Sequence, residues 1–217
     1  MAPARPDDDI AGLVASHRSL LDDLHRTVTS DDVARRPSRL PDWSVGHVLT
    51  HVARNADAMT RMLEAAAVGE EPEMYVGGRA GRAAAIEAGA GRTTFALIED
   101  VGASIARLED AIEAMPDDAW GNTTHPSRAT VPAADLPRRR WIEVEVHRVD
   151  LGLGYEPSAW PEPFATRQVD VLSQTLPDLL PAGADPPDEA AHPAWVVAAW
   201  LLGRGGPDGF PEIDPWA

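Results

Sequence analysis

Hydrophobic positions recur at intervals of three and four through the first two thirds of the chain, the period of amphipathic helices. Residues 7–28 place Ile10, Leu13, Val14, His17, Leu20, Leu21 and Leu24 on one face. A polar, Pro-containing stretch follows. A second helix opens after Leu40-Pro41-Asp42, with Asp42 or Ser44 as its N-cap. Val45, Val48, Leu49, Val52, Ala56, Met59 and Leu63 form its apolar face, which fades near Gly69. A short Ala-rich helix is expected over residues 79–90. From Thr93 to Met115 the apolar positions are Phe95, Ile98, Val101, Ile105, Leu108 and Ile112, and Pro116 stops the helix. Residues 116–137 contain four Pro and read as a long loop with an extended piece at Arg128–Val131. Loops of that length are uncommon unless they serve a site. A fourth long helix runs from Arg138 to Leu151 and ends at Gly152 and Gly154.

Four long helices with a long crossover before the last predict a mainly α fold, a four-helix bundle over residues 1–157. Beyond it the composition shifts towards Pro and Trp, with helices expected at 164–176 and 194–203. Residues 158–217 therefore read as a small C-terminal domain.

Charge narrows the function. The 217 residues carry 35 acidic against 19 basic side chains, a formal net charge of −16, and every basic one is Arg. That field disfavours a broad nucleic-acid surface or an anionic membrane. It does not exclude an anionic small molecule, because a few Arg in a cleft reverse the sign locally. There is no Cys, so disulfides, thiolate metal sites and a protein-borne sulfur nucleophile are excluded. No apolar run approaches membrane-spanning length, and the opening MAPARPDDDI has no signal-peptide core. The expectation is a cytoplasmic monomer.

Two patterns carry candidate chemistry. His47 and His51 are four apart on the second helix and can share a metal, although a hydrogen-bonded core His is the simpler alternative. Glu143 and His147 are also four apart, on the largely apolar fourth helix, with Asp150 beyond. A buried carboxylate there needs a partner. That partner is either a metal or an ion pair with Arg138, Arg139 or Arg140; otherwise Glu143 or Glu145 points to solvent. One His from the second helix with Glu143 and His147 makes a two-His, one-carboxylate set with an open coordination position, suited to zinc or iron. Of the seven Trp (43, 120, 141, 160, 195, 200 and 216) most are expected in packing, and His125 lies in the long loop.

The chain resembles the mycothiol-dependent maleylpyruvate isomerases, zinc-binding members of the DinB-like helical bundles. The segments that carry the resemblance are LPDWSVGHVLTHVARNADA (40–58), GEEPEMYV (69–76), ATVPAADLPRRRWIEVEVHRVDLG (129–152) and LLGRGGPDGFPEIDPW (201–216). The resemblance implies zinc ligands at His51, Glu143 and His147, and pocket arginines at Arg82 and Arg204. His47 has a counterpart that is not a ligand, and His47, Asn55 and Asp150 are candidates to orient the ligands. The family's C-terminal domain usually includes a few strands, whereas the stretch between Leu180 and Trp195 is short and Pro-rich here, so a shortened α or α/β appendage is expected.

The implied reaction is the cis–trans isomerisation of maleylpyruvate to fumarylpyruvate in gentisate degradation. Rotation about a double bond requires its temporary removal, and a thiolate achieves that by reversible addition. With no Cys in the chain the thiol must be external, and the family uses mycothiol. The expected partners are a small dicarboxylate substrate and this low-molecular-weight thiol. The alternatives are a mycothiol S-transferase, a metal-dependent hydrolase, and a non-enzymatic metal-binding module.

Overall fold

The computed structural model describes residues 3–126, 130–181, 184, 186 and 188–213. The chain divides into two compact units, Met1–Leu153 and Gly154–Ala217.

In the first unit α1 spans Asp7–Thr27 and buries Leu13, Leu20 and Leu24. Asp7, Asp8 and Asp9 lie in its first turn and His25 and Arg26 in its last, which complements the helix dipole at both ends. Helix α2, Val45–Ala67, starts at a capping box. Ser44 Oγ accepts from the His47 backbone N–H, and His47 Nδ1 accepts from the Ser44 N–H at 3.1 Å. Of the two expected N-caps Ser44 therefore takes the role, while Asp42 forms the turn before it at φ 62°. Helix α4, Thr94–Glu113, is capped by Thr93, and α5 spans Leu136–Asp150.

These four helices close a ring: α1 packs on α5 and α4, and α2 packs on the same two. The core between them holds Val48, Leu49, Val52, Met59, Leu97, Val101, Leu108 and Val144, all 2 % exposed or less. Gly12 on α1 admits the Trp141 ring, since a Cβ there would lie 2.2 Å from the indole. Helix α3, Gly78–Ala90, packs on α2 from outside the ring. Gly46 makes that approach possible, because a Cβ there would meet the Ala90 carbonyl at 2.3 Å. Phe95, expected on the apolar face of α4, is 49 % exposed. It sits in the first turn of α4, beside the Thr93 cap.

The crossover before α5 is built rather than open. Trp120 is fully buried in it, and Asn122 Nδ2 donates to the Ala66 carbonyl at 2.7 Å. Strands β1 (Thr123–Thr124) and β2 (Val131–Pro132) pair antiparallel. The expected extended piece thus includes Val131, while Arg128 and Ala129 lie outside the described residues.

The second unit contains α6 (Glu162–Leu172), α7 (Leu176–Leu179) and α8 (Ala194–Leu201). The single helix expected at 164–176 stops at Leu172 and restarts at Leu176. Pro177 explains the break, since within a continuous helix its ring would clash with the carbonyl four residues back. Leu176, Val197, Trp200 and Leu201 form this unit's core. Trp200 Nε1 donates to the Pro211 carbonyl at 2.8 Å and packs edge-on against Phe210. Trp216 lies outside the described residues. No helix among the described residues is long and apolar enough to cross a membrane.

Candidate metal centre

Helical periodicity puts Glu143 and His147 on one face of α5, one turn apart. Packing of α2 against α5 brings His51 to the same point. Glu143 Oε2 lies 3.0 Å from His51 Nε2 and 3.3 Å from His147 Nε2. One donor atom from each residue falls within 4.8 Å of the other two, and the imidazoles meet edge-on at 4.6 Å. A tetrahedral metal with bonds of about 2.1 Å holds its donors about 3.4 Å apart. The observed spacings are close to that, so the three side chains form a possible metal site.

The surroundings orient the donors. Asp150 Oδ2 accepts from His147 Nδ1 at 2.7 Å, which leaves the Nε2 lone pair facing Glu143. Burial opposes charge on His147, but the hydrogen bonds with Asp150 and Glu143 outweigh it and raise its pKa. For His51 burial dominates and lowers the pKa to about 4, against the pull of Glu143, so this imidazole is neutral. Burial would raise the Glu143 pKa, yet the bonds from His147 and His51 hold it well below the ordinary carboxylate range. A neutral imidazole and an ionised carboxylate are the forms that bind metal. Trp43 packs edge-on against His51 with ring centroids 5.8 Å apart.

The cluster opens into a cavity of about 580 Å³. His51 and Glu143 belong to its wall, together with Tyr75, Arg82, His125 and Arg139. Arg82 Nη2 lies 3.2 and 3.4 Å from the two ring nitrogens of His51, addressing neither lone pair exclusively. Its guanidinium also sits over Trp43 and Tyr75, at 5.9 and 5.8 Å from the ring centroids. No carboxylate among the described residues pairs with it. Burial, then the Glu143 charge, raises the Tyr75 pKa, so the phenol stays protonated at neutral pH.

The family model for the mycothiol maleylpyruvate isomerase N-terminal domain matches residues 13–152, which contain all three donors. This chain belongs to that family. A crystal structure of the mycothiol-dependent maleylpyruvate isomerase superposes with a TM-score of 0.80 at 25% identity, covering 97% of both chains. A histidine-to-alanine mutant of that isomerase gives a TM-score of 0.79 at 24% identity, with the same coverage. No curated protein matches the chain.

Within this maleylpyruvate isomerase fold the residues singled out in the sequence have separate fates. His51, Glu143, His147 and Arg82 come together. His47 does not join them: it caps α2, stacks on Trp43 and lies 3.4 Å from Glu87. Glu145 is neither exposed nor near the cluster; it is fully buried on the other side of α5, against Ser16 and Arg148. Arg140 is buried and pairs with no carboxylate of α5. Its Nη1 donates to the Val52 carbonyl and Asn55 Oδ1, at 2.9 and 2.8 Å. Arg204 lies in the second unit, where Nη1 donates to the Leu202 carbonyl at 3.1 Å. His125 remains 40% exposed, bonded to Glu71, while it lines the cavity. Tyr75 and Arg139 were not anticipated as cavity residues. For Arg139 a signal existed: it precedes Glu143 by four, so Arg139, Glu143 and His147 form one stripe along α5.

Proposed function

We propose that this protein is a zinc- and mycothiol-dependent isomerase that converts maleylpyruvate to fumarylpyruvate, with His51, Glu143 and His147 as the metal ligands. The observation that carries this reading is the donor set: two imidazoles and one carboxylate converge at metal-ligand spacing beside a cavity that His51, Glu143 and Arg82 line. Three protein donors leave a coordination position for a small molecule, as in catalytic zinc sites. A bound zinc ion supplies thiol activation, because a free thiol has a pKa of about 8.5 and a coordinated one is deprotonated.

The protein's own groups support the rest. Asp150 holds His147 in the tautomer that presents Nε2. Trp43 packs edge-on against His51 and holds its ring in place. The Arg82 guanidinium, planar and without a carboxylate partner among the described residues, is suited to grip one carboxylate of a dianionic substrate in bidentate fashion. In a chain of net charge −16 it also offsets the general repulsion of an anion. Arg204 is proposed as a second substrate-binding arginine on the strength of the resemblance at Gly203-Arg204-Gly205.

The test is to measure the zinc content of the untagged protein and to assay maleylpyruvate conversion with and without mycothiol. Stoichiometric zinc and strictly thiol-dependent conversion are expected. Zinc without conversion would overturn the substrate and favour transfer of the thiol to another electrophile. Conversion without thiol would overturn the mechanism.

A further inference from the structure

A buried polar chain leads from the bundle interior to the cavity. Arg140 is 1% exposed, and its guanidinium has donors only. Its Nη1 donates to Asn55 Oδ1 at 2.8 Å, and Asn55 is 0% exposed. That bond decides which way the Asn55 amide faces: oxygen towards Arg140, nitrogen towards Tyr75. Asn55 Nδ2 accordingly donates to the Tyr75 hydroxyl oxygen at 3.4 Å. His17, whose Nε2 accepts from Arg140 Nε at 3.4 Å, holds the guanidinium from the other side. The phenolic oxygen is thereby used as an acceptor. Its own hydrogen finds no acceptor among the described residues, and Tyr75 lines the cavity.

We infer that Tyr75 is a catalytic hydrogen-bond donor to the oxygen on which charge develops during the reaction, with Asn55 and Arg140 as its positioning residues. The inference rests on the isomerase reading. Thiolate addition forms a carbon–sulfur bond to the alkene. The displaced π electrons move through the conjugated system onto the ketone oxygen, giving an enolate. The former double bond is now single and rotates. Collapse of the enolate restores the ketone, re-forms the alkene in the trans arrangement and expels the thiolate. No proton is gained or lost overall, so Tyr75 keeps its proton and only donates a hydrogen bond, strongest when the oxygen is anionic. Burial lowers the Arg140 pKa only to about 10, so the guanidinium stays charged at neutral pH, and the buried asparagine it fixes keeps that polarity constant through turnover.

Tyr75→Phe keeps the ring and removes the hydroxyl, both as donor to the cavity and as acceptor for Asn55 and Arg82. Asn55→Asp keeps the shape and the acceptor for Arg140 but replaces the amide donor with a second acceptor. The Tyr75 hydroxyl then donates to Asp and turns away from the cavity. In steady-state kinetics with maleylpyruvate and mycothiol, each variant is expected to lose roughly 100-fold in kcat with KM little changed. The double variant is expected to be no slower than Tyr75→Phe alone, because Asn55 acts through Tyr75. Zinc content and circular dichroism report whether the fold is retained. Wild-type kcat in Tyr75→Phe would overturn the inference, and additive losses in the double variant would overturn the role of Asn55. If the unmodified protein shows no thiol-dependent isomerisation, the isomerase reading falls and this inference with it.

Discussion

Two glutamates two residues apart on α5 meet opposite fates. Two positions along a helix turn the side chain by about 200°, so Glu143 and Glu145 look in opposite directions. Glu145 is fully buried and used up. Ser16 Oγ donates to it, Arg148 Nη1 pairs with it at 3.4 Å, and Trp141 Nε1 donates to Ser16 at 2.7 Å. Glu143 keeps 24% of its side chain exposed, meets two imidazole nitrogens and borders a cavity. Burial and charge are common to both sites. The difference is that around Glu145 every direction is filled by protein, whereas around Glu143 the donors converge on open space. A buried carboxylate becomes scaffold or site according to whether its partners leave room for a ligand.

Substitutions sharpen that contrast. Glu143→Ala should abolish thiol-dependent activity and metal retention together. Loss of partners behind metal ligands typically costs 10- to 100-fold, so loss of a ligand should exceed about 100-fold in activity. Full zinc occupancy in the purified variant would break the contrast. Glu145→Ala should do the reverse. It removes one of the two carboxylates that Arg148 meets, Asp23 being the other, which costs about 1–3 kcal/mol in denaturant unfolding, with zinc content unchanged in the folded fraction.

Acid separates the two regions next. His17 is buried and neutral, its pKa lowered by burial to about 4 against the Glu109 bond. Unfolded, it titrates near 6.5, so between pH 6.5 and 4 the unfolded chain binds the extra proton and stability falls as pH is lowered. The loss for His17 is about 3 kcal/mol across that window. In the metal-free cluster, His51 acts in the same direction. His147, with a raised pKa, acts in the opposite one: its contribution is present below pH 6.5 and is lost as pH rises through its folded pKa. Denaturant titrations of metal-free protein from pH 7 to pH 4.5 should therefore show a slope that His17→Gln flattens. An unchanged slope would show that His17 is not the group that titrates. Asp150→Ala should have the mildest effect on the site, lowering zinc affinity about 10- to 100-fold in competition with a chelator, because His147 loses its tautomer partner but not its ligand atom.

The architecture was legible because it is written in local periodicity. Apolar residues three and four apart mark α1, α2, α4 and α5 within a few residues, and Ser44, Thr93 and Pro116 mark ends through capping and a missing N–H. The break at Pro177 was also readable, although apolar spacing across 164–176 hid it. Phe95 misled for a related reason: periodicity reports a face, not whether anything covers it.

On one element, chemistry was equally legible. The sequence alone determined that Glu143 and His147 share a face, that the chain has no thiol of its own, and that its charge disfavours nucleic acid. Tertiary structure decided what lies across from that face. It set His51 rather than His47 opposite Glu143, because capping of α2 at Ser44 draws His47 back to the helix start while His51 points into the ring. It sent Glu145 into the scaffold, carried Tyr75 and Arg82 from the connection and the outer helix to the cavity wall, and set the Asn55 amide against Arg140. These are meetings between residues far apart in the chain. Helix periodicity repeats every few residues and contains no information on which helix faces which; only close packing of side chains supplies it.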